Sequence, residues 1–506
     1  MYIGDYLARR CVYTPDKIAL VDAATSPAQR FTYSALNQRA NQLASRLRAQ
    51  GIGQGERVAM LAHDGIHFYD AFFACCKLGA IFVPLNWRLH PREIEVQVRQ
   101  TSPRVLIHGA GSSIADALAH LKSRGLLTTF LSLYDNDNLE LRAVLANAEA
   151  APVTCEALRE NDTACLLFTG GTTGAPKAAQ ISHGQIVWNT FNALLAEVLG
   201  TDTFLNLFPL FHAGGLFAFS VPLLILGGTV VQTQKFEPEQ VLALIARERI
   251  TIFGGVPTVF QMLASAKNWD EADLSSLRYC LSGGAPMPVA LMQKYQREKG
   301  VVFRQGFGMT EFGPDVFSLA SEDAERKAGS IGKPNFFVDA RVVDSETKQA
   351  LPAKQIGELV LRGPSAMSGY FNNPSASQAA FDNENYFHTG DLAYVDEEGY
   401  FFIVDRLKDM FISGGENVYP SEIEAVLYKH PAVAMCAVVG MKDEKWGEVG
   451  RAFVVRKAGM LIDEAAGLDF LREHLAAYKV PKSVVFMEAL PLSGAGKILK
   501  AELRKA

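Results

Sequence analysis

The chain has 506 residues, a length that predicts two or more domains rather than one compact unit. Hydrophobic residues make up 49% of it and charged residues 20%, which is typical of globular proteins and excludes disordered and disulfide-dense classes. The formal net charge of -5 excludes the broad basic surface of a nucleic-acid-binding protein. We therefore expect local motifs to define the function.

The cysteines and the apolar segments indicate the compartment. Seven scattered cysteines without C-x-x-C spacing predict reduced thiols: Cys11, Cys75, Cys76, Cys155, Cys165, Cys280 and Cys436. The N-terminus has no apolar signal core, and "LFAFSVPLLILGGTVV" (216–231) is too short and too interrupted to span a bilayer. These features predict a cytoplasmic protein without a transmembrane segment, and they leave peripheral membrane contact and a homodimer open.

The first half of the chain alternates helical and strand patterns. Four apolar residues recur at helical spacing: Leu36, Ala40, Leu43 and Leu47. Gly51 stands where this helix would end, and 58–61 predicts a buried strand. The pattern returns as the helix "DAFFACCKL" before the strand 81–83, and as a helix before the strand 250–253. Sheets with helices on their faces are expected.

The second half of the chain has a different pattern of predicted elements. Short strand patterns and glycines between "GELVLRGPSAMSGYF" (357–371) and "GYFFIVDRLKDMF" (399–411) predict a β-rich subdomain. Later segments read as helix and strand (421–443) and then helix (467–480), typical of a minor domain. We place an N-terminal domain over 1–405, a hinge at 406–408 and a C-terminal domain over 409–506.

One loop combines small residues with a single cation. In "FTGGTTGAPKAAQISH" (168–183), glycine and threonine residues let backbone N–H groups approach an anion, and Lys177 supplies a positive charge. The loop does not satisfy the G-x-x-x-x-G-K-[ST] pattern, because Ala178 follows the lysine. Taken alone, the stretch fits an ordinary turn as well as a phosphate site.

In context, this loop resembles the Y-T-S-G-T-T-G-x-P-K-G signature of the adenylate-forming superfamily, which includes acyl-CoA synthetases. Further segments match that family in the same order: "PLFHAGG" (209–215), "LSGGAP" (281–286), "QGFGMTE" (305–311), "GSIGKP" (329–334), "GELVLRGP" (357–364), "HTGD" (388–391), "DRLKDMFISGGENVYPSEIE" (405–424) and "PLSGAGKILK" (491–500). The wording is most similar to bacterial fatty-acyl-CoA and feruloyl-CoA ligases. The resemblance implies an α/β multidomain fold: two α/β subdomains and a β-barrel-like one, followed by a small mobile α+β domain.

The resemblance also implies a nucleotide site. Its ATP- and AMP-binding residues are Thr169, Gly170, Gly171, Thr172, Thr173, Gly174, Lys177, Gly283, Gly284, Ala285, Pro286, Gly306, Phe307, Gly308, Met309, Asp391, Ile403 and Arg406. Thr310 would contact a phosphate and Glu311 would bind Mg²⁺. Asp391 and Arg406 would recognise the ribose, although a simple ion pair is the structural alternative.

Catalytic, acyl and CoA positions follow from the same match. Lys497 would bridge the acid and the α-phosphate, in preference to the ordinary surface lysines Lys500 and Lys505. His212 would sense the carboxylate, a structural histidine being the alternative. The acyl pocket would be lined by Phe211, His212, Gly214, Val256, Gly284 and Met309. CoA would contact Ser413, Gly414, Gly415, Glu416, Trp446 and Tyr478, and the hinge would be Lys408.

The implied reaction converts an acid to acyl-AMP and then to acyl-CoA, with ATP, Mg²⁺ and CoA required. The apolar pocket predicts a medium- or long-chain fatty acid, with an aryl acid as the alternative. Loading of a carrier protein and a non-enzymatic nucleotide-binding module are the remaining hypotheses. Gly170, Ala178, Leu492 and Ser493 depart from the usual family residues, which puts rates and loop flexibility in doubt rather than the reaction.

Overall fold

The computed structural model describes residues 3–25, 27–127, 129–133, 151–169, 176–492 and 498–505. The chain divides into two compact units. The first comprises Met1–Ala340 and Leu361–Phe387, and the second comprises Arg341–Val360 and His388–Ala506. The predicted mixed α/β fold, with a large N-terminal and a smaller C-terminal part, is confirmed. The hinge predicted at 406–408 lies within the second unit, and the predicted domain boundary stays a prediction.

One sheet of the first unit lies in its N-terminal part. Its strands are β3 (Arg57–Leu61), β4 (Ile81–Pro84), β5 (Val105–His108), β6 (Thr129–Ser132), β7 (Thr163–Thr169) and β8 (Lys177–Ser182). They lie in the order β6, β5, β3, β4, β7, β8, and only the pair β7–β8 is antiparallel. The β7–β8 hairpin forms one edge of this sheet.

Helices alternate with strands along this part of the chain, as the sequence predicts. They are α1 (Tyr6–Cys11), α2 (Tyr33–Ala49), α3 (Ile66–Leu78), α4 (Pro91–Thr101) and α5 (Ser112–Ser123). The four apolar residues predicted for α2 are all buried, and the helix ends two residues before Gly51. Leu106 of β5 shares a buried core with Ile94 of α4 and Ile114 of α5. Strand and helix faces therefore meet as the periodicity indicates.

A second, larger sheet of the first unit supplies the edge where the site lies. Its strands are β1 (Ile18–Asp22), β2 (Gln29–Thr32), β9 (Thr203–Asn206), β10 (Thr229–Gln232), β11 (Ile252–Gly255), β12 (Tyr279–Gly283), β13 (Phe303–Phe307), β14 (Phe317–Leu319) and β15 (Lys333–Pro334). They lie in the order β15, β14, β13, β12, β11, β9, β10, β1, β2. The run from β13 to β1 is parallel.

The remaining helices of the first unit are α6 (His183–Leu195), α7 (Ser220–Leu226), α8 (Pro238–Arg247), α9 (Pro257–Leu263), α10 (Val289–Lys299) and α11 (Pro374–Ala379). The strand predicted at 250–253 begins two residues later, at Ile252. The reason is local, because the N–H of Ile250 donates to the carbonyl of Ile245 at 3.0 Å. Ile250 therefore still belongs to the end of α8.

His183, the first residue of α6, gives the unit a pH-dependent stability. It is buried, with Nδ1 3.3 Å from the hydroxyl oxygen of Tyr6, and burial lowers the pKa of His183 to about 4. The unfolded chain takes up this proton near pH 6.5 but the folded chain only near pH 4, so stability is lost as the pH falls between these values. Between pH 6.5 and pH 4 we expect protonation of this histidine to lower the free energy of unfolding by about 3 kcal/mol.

Urea denaturation of wild type and His183→Gln from pH 7 to pH 4 measures this contribution. Burial raises the pKa of Asp64 to about 6, which gives an opposite pH dependence in both proteins, so their difference isolates the histidine. A variant whose unfolding free energy falls as steeply as that of wild type would contradict the assignment.

The second unit contains the predicted β-rich segment and the C-terminal region. Its first sheet runs β16 (Asp339–Val343), β17 (Gly357–Arg362), β18 (Phe387–Val395), β19 (Phe401–Arg406), with the ends of some strands in the first unit. The other sheet has β20 (Phe411–Ser413), β21 (Glu416–Val418), β22 (Val433–Asp443), β23 (Gly447–Arg456) and β24 (Ser483–Phe486). The described helices of the second unit are α12 (Pro420–Leu427), α13 (Glu464–His474) and α14 (Lys500–Leu503).

Two global features accompany this fold. Among the described residues, no helix combines the length and apolar character needed to cross a bilayer. All seven cysteines lie in described parts of the chain and none forms a disulfide, as predicted.

Candidate functional site

The phosphate loop connects β7 to β8. Thr169 ends β7 directly opposite Lys177, the first residue of β8, so the hairpin closes at the base of the loop. The side-chain amide of Gln100 donates to the carbonyl of Pro176 at 3.1 Å and holds the C-terminal side of the loop. The predicted phosphate ligands Gly170, Gly171, Thr172, Thr173 and Gly174 lie outside the described residues.

Lys177 and Glu311 are joined through Tyr370. The Lys177 ammonium lies 4.9 Å from the centre of the Tyr370 ring, within the range of a cation–π interaction. The Tyr370 hydroxyl donates to Oε1 of Glu311 at 3.2 Å. Burial, reinforced by the Glu311 carboxylate, raises the pKa of Tyr370 well above its usual value. Tyr370 therefore stays protonated and orients the carboxylate as a hydrogen-bond donor.

Backbone pairing fixes the position of Tyr370. The backbone N–H of Gln180 in β8 donates to the carbonyl of Gly369 at 2.9 Å, and the N–H of Phe371 donates to the carbonyl of Ala178 at 2.8 Å. The N–H of Met367 donates to the carbonyl of Glu311 at 2.7 Å. The segment 367–371 therefore connects the phosphate hairpin to the turn that holds Glu311. The sequence analysis missed Tyr370, whose only signal is an aromatic residue directly after a glycine.

We expect Tyr370→Phe to impair the first half-reaction, because it removes the hydroxyl that orients Glu311. A hydrogen bond to a charged group is worth about 1.5–3 kcal/mol, so kcat/KM for acid-dependent ATP–pyrophosphate exchange should fall at least about tenfold. The Mg²⁺ concentration for half-maximal exchange should rise as well. Tyr295→Phe is the matched control, since the Tyr295 hydroxyl donates to the carbonyl of Phe260 in the core of the same unit. Equal exchange rates in the two variants would reject the role of Tyr370.

Three adjacent parallel strands bring the other nucleotide and acyl positions to one edge. Register pairs Gly255 with Ser282 and Gly283 with Gly306, so β11, β12 and β13 end side by side. The carboxyl ends of parallel strands are the usual ligand-binding edge of such sheets. Phe307 ends β13 at this edge, and the segments that follow the three strands contain the predicted residues Val256, Gly284, Ala285, Pro286, Gly308 and Met309. The ring of Phe307 packs against the ring of Phe317 on the neighbouring strand β14, with 5.8 Å between the ring centroids.

A sharp turn after β13 positions Thr310 and Glu311. They begin a short 3₁₀ helix, Thr310–Phe312. Before it, the backbone of Gly308 passes so close to the returning chain that a Cβ at this position would lie 1.6 Å from the carbonyl oxygen of Pro314. Only glycine fits such a close approach, so the turn requires glycine at position 308 whether or not Gly308 also contacts the nucleotide as predicted.

The predicted acyl residues Phe211 and His212 follow β9, the neighbour of β11. Their ring centroids are 4.7 Å apart. A Cβ at Gly214 would meet nothing within 4 Å, in agreement with open space beside this loop. The next residues form a π-helical turn, Gly214–Ala218, a feature that is frequent at functional sites.

A small cavity of about 10 Å³, room for roughly one water molecule, connects this loop to Thr310. It is lined by Ile181, Gln185, Ile186, Asn189, Ala213, Phe217, Thr310, Gly313 and Pro314. Gln185, which the sequence analysis did not single out, is 1% exposed, and its side-chain amide has no hydrogen-bond partner among the described residues. Asn189 is satisfied, because it donates to the carbonyl of Phe217 at 2.7 Å. The cavity wall is otherwise mostly apolar.

Glu311 fits the requirements of a Mg²⁺ ligand. Its carboxylate is partly exposed and oriented by Tyr370. Within the described ranges no cluster of three or more His, Cys, Asp or Glu residues could hold a metal by itself. One carboxylate that is completed by substrate phosphates is the usual arrangement for Mg²⁺, which is rarely enclosed by protein ligands alone.

The second unit holds the predicted ribose and hinge residues. Asp391 of β18 pairs in register with Arg406 of β19, and Nε of Arg406 lies 3.2 Å from Oδ1 of Asp391. Asp391 is buried whereas half of the Arg406 side chain is exposed. Ile403 lies on the same strand as Arg406. The ion pair of the structural alternative is therefore present, and ribose recognition stays a prediction. Burial lowers the pKa of Lys408.

The predicted CoA loop is a tight hairpin. Gly414 and Gly415 join β20 to β21, and their φ values of 61 and 90 are those of a two-residue turn that requires glycine. A Cβ at Gly414 would lie 2.9 Å from Cε3 of Trp446, and the N–H of Gly414 donates to the Trp446 carbonyl at 2.9 Å.

Trp446 and Tyr478 are 41% and 42% exposed, so neither is the core residue that the alternative required. Trp446, the hairpin glycines and the exposed Glu416 thus lie on one surface, whereas Ser413 is buried beneath it. Tyr478 lies in the short turn Ala477–Lys479, with the Lys479 ammonium 5.7 Å from the centre of its ring. Contact with CoA stays a prediction for all of these residues.

Lys497 lies outside the described residues. The two lysines that compete with it have other partners. Lys500 lies 2.8 Å from Oε1 of Glu424 in a largely buried ion pair, and Lys505 lies 2.8 Å from Oε1 of Glu502. Their engagement supports the choice of Lys497 among the C-terminal lysines.

Comparison with known proteins shows the family of the chain. The model of the AMP-binding enzyme family matches residues 7–371, and that of the AMP-binding enzyme C-terminal domain matches 422–497. A feruloyl-CoA synthase of an Amycolatopsis species is 41% identical over 504 residues, with 99% of this chain and 98% of that protein covered. A long-chain-fatty-acid–CoA ligase of Mycobacterium tuberculosis is 37% identical over 508 residues, with the same coverage.

A solved structure extends the likeness to the whole fold. The O-succinylbenzoate–CoA synthetase of Bacillus subtilis in complex with ATP and magnesium is 32% identical, has a TM-score of 0.87 and covers 99% of each chain. Both family models match in the chain order that the motifs predict. The chain therefore belongs to the family of AMP-binding enzymes and is an AMP-forming acid–CoA ligase.

Proposed function

We propose that this ligase activates a hydrophobic carboxylic acid with ATP and transfers the acyl group to CoA. The observation that supports the first half-reaction most directly is the chain of contacts from Lys177 through Tyr370 to Glu311. It places a cation and a hard carboxylate next to the hairpin of the phosphate loop. These are the two charges needed to hold and neutralise a nucleoside triphosphate.

The proposed reaction has two steps. A carboxylate oxygen of the acid attacks the α-phosphorus of ATP, and pyrophosphate leaves with the electron pair of the broken P–O bond. The CoA thiol then loses its proton and attacks the carbonyl carbon of the acyl-AMP, and AMP leaves. Lys177 would hold the β- and γ-phosphates, while Thr310 and His212 would contact the α-phosphate and the acid. None of these residues forms a covalent bond to the substrate.

Bound Mg²⁺ would supply positive charge to the departing phosphates. The residue that would hold it is Glu311, kept in place by the Tyr370 hydroxyl. Asp391 and Arg406 would bind the ribose hydroxyls, and Lys497 would stabilise the charge at the α-phosphate. We further propose that the small C-terminal domain rotates about Lys408, so that Lys497 withdraws and the Gly414–Gly415 hairpin approaches the thiol.

For the acid, an aromatic carboxylate is our first candidate. The relative with 41% identity is a feruloyl-CoA synthase. The space behind Thr310 is closed to about the volume of one water, which favours a compact acid over a long chain in that direction. The side-chain amide of Gln185 at this cavity, which has no partner in the described part of the chain, would be satisfied by a polar ring substituent. A fatty acid, the first choice from the sequence, is the second candidate and is supported by the relative with 37% identity.

A substrate screen tests the proposal. Pyrophosphate release is measured with ferulate, cinnamate, hexanoate and palmitate, each with and without CoA. We expect acid-dependent release with all active acids, acyl-CoA formation when CoA is present, and the highest kcat/KM for ferulate. A higher value for palmitate would select the fatty-acid candidate. The absence of release with any hydrophobic acid would contradict the proposal, and acyl transfer only to a carrier protein would replace CoA as acceptor.

Location and assembly belong to the same proposal. The seven cysteines without a disulfide support a cytoplasmic enzyme. The homodimer is proposed without a structural argument, and sedimentation of the purified protein decides it.

A further inference from the structure

The C-terminal helix is attached to the segment that we propose as the hinge. Arg504, just after α14, has a terminal nitrogen 2.8 Å from Oδ1 of Asp409. The same nitrogen donates to the carbonyl oxygen of Lys408 at 3.3 Å. The Asp409 carboxylate is 12% exposed and the Arg504 side chain 33%, so this ion pair is better shielded than most surface pairs.

The contacts of Arg504 fall on one side of the proposed hinge. Rotation about φ or ψ of Lys408 moves its carbonyl together with Asp409 and everything that follows. A side chain that binds both the Lys408 carbonyl and Asp409 therefore stays within the moving body. The turn before it is held separately, since the N–H of Leu407 donates to the carbonyl of Gly390 at 2.9 Å.

The two ends of the loop that contains Lys497 are paired with each other, and the same helix holds the C-terminal end, because the N–H of Glu502 donates to the carbonyl of Leu499 at 3.0 Å. Leu492 and Ile498 form an isolated β-bridge, and the N–H of Leu499 donates to the carbonyl of Pro491 at 2.9 Å. Lys500 is anchored to Glu424 of α12. Arg504 is thus the connection between this anchored loop base and the hinge.

We propose that Arg504 is a positioning residue that couples the hinge at Lys408 to the loop of Lys497. Rotation of the C-terminal domain is then transmitted to the paired ends of this loop, Leu492 and Ile498. This inference rests on the proposed roles of Lys408 and Lys497. It adds a function for a residue that contacts neither the substrate nor the reacting atoms.

The test compares Arg504→Ala with Arg472→Ala, whose arginine forms an exposed ion pair with Asp469 in the same unit. We expect Arg504→Ala to lower kcat of ATP–pyrophosphate exchange about 10- to 100-fold, with the KM for ATP changed less than about threefold. Thioester formation from supplied acyl-AMP and CoA should stay within about threefold of wild type. Arg472→Ala should leave both reactions unchanged. Equal losses in both half-reactions, or no loss in either, would overturn the proposal.

Two further measurements keep folding and function apart. The charge-exchanged variant Arg504→Asp/Asp409→Arg should recover at least part of the exchange activity that Arg504→Asp loses, and failure to recover any would contradict the pair. Amide hydrogen exchange can be measured without any carboxylic acid substrate. Arg504→Ala should accelerate amide hydrogen exchange in both peptides, 404–411 and 488–500. Unchanged exchange there would overturn the coupling even in an active enzyme. Wild type without acid-dependent pyrophosphate exchange would instead reject the proposed function, and hydrogen exchange would still decide the coupling.

Discussion

Lys497→Ala should lose adenylation by about 100- to 1,000-fold while it still converts supplied acyl-AMP and CoA to thioester within about threefold of wild type. The reason is that one ammonium is proposed to stabilise the charge that builds at the α-phosphate, and a stabilising group of this kind contributes about 2.7–4 kcal/mol. The second half-reaction proceeds without that charge. ATP–pyrophosphate exchange and a thioester assay on synthetic acyl-AMP measure the two steps separately.

The control for this variant is Lys505→Ala. Lys505 lies in the same C-terminal segment, but it forms an exposed ion pair with Glu502. Exposed pairs contribute little, so both half-reactions should be unchanged. Equal damage to both steps in Lys497→Ala would show that the lysine maintains the fold of its domain rather than stabilising the adenylation transition state.

Gly308→Ala should abolish most of the activity and also destabilise the protein. The new Cβ would lie 1.6 Å from the Pro314 carbonyl oxygen, so the turn must open. Thr310 and Glu311 follow directly, and a displacement of about 1 Å at a catalytic site costs roughly 100-fold in rate. We expect a loss of this size in pyrophosphate exchange and a decrease of about 1–3 kcal/mol in the free energy of unfolding.

Gly53→Ala is the matched control, because a Cβ at Gly53 would meet nothing within 4 Å. It should keep both activity and stability. If Gly308→Ala retained exchange activity within about threefold of wild type, the close approach would not be what positions Thr310 and Glu311.

Much of the fold could be predicted because the first unit follows simple periodicity. The predicted strand 58–61 is β3 with one residue added, and the helix pattern beginning at Leu36 is α2. These elements have one buried face or are buried throughout, so the spacing of apolar residues reports them directly. The strand before Gly255 was placed two residues early because a helix-ending hydrogen bond at Ile250 leaves no trace in apolar spacing.

The division into two compact units could not be predicted from the sequence. The segment Arg341–Val360 belongs with the second unit although it precedes Leu361–Phe387, which belongs with the first. Such an exchange of segments depends on tertiary packing between distant strands, which local composition does not report.

Residues of contiguous motifs could be proposed for the candidate site from the sequence, whereas a contact that depends on distant pairing could not. Lys177 and Glu311 were identified from their own segments, but their link through Tyr370 depends on the pairing of segment 367–371 with β8. The acid was not predictable for the same reason, since Gln185, Phe217 and Pro314 meet only in the folded chain. Motifs thus specify the reaction, whereas packing specifies the substrate.

The central claim is that the acid is activated as an adenylate. The most direct test supplies the preferred acid with both carboxylate oxygens labelled with ¹⁸O, together with ATP, Mg²⁺ and CoA, and analyses the products by mass spectrometry. Attack of the carboxylate on the α-phosphorus predicts one ¹⁸O atom in AMP and none in pyrophosphate. Labelled orthophosphate together with ADP would show activation at the γ-phosphate and would contradict the account.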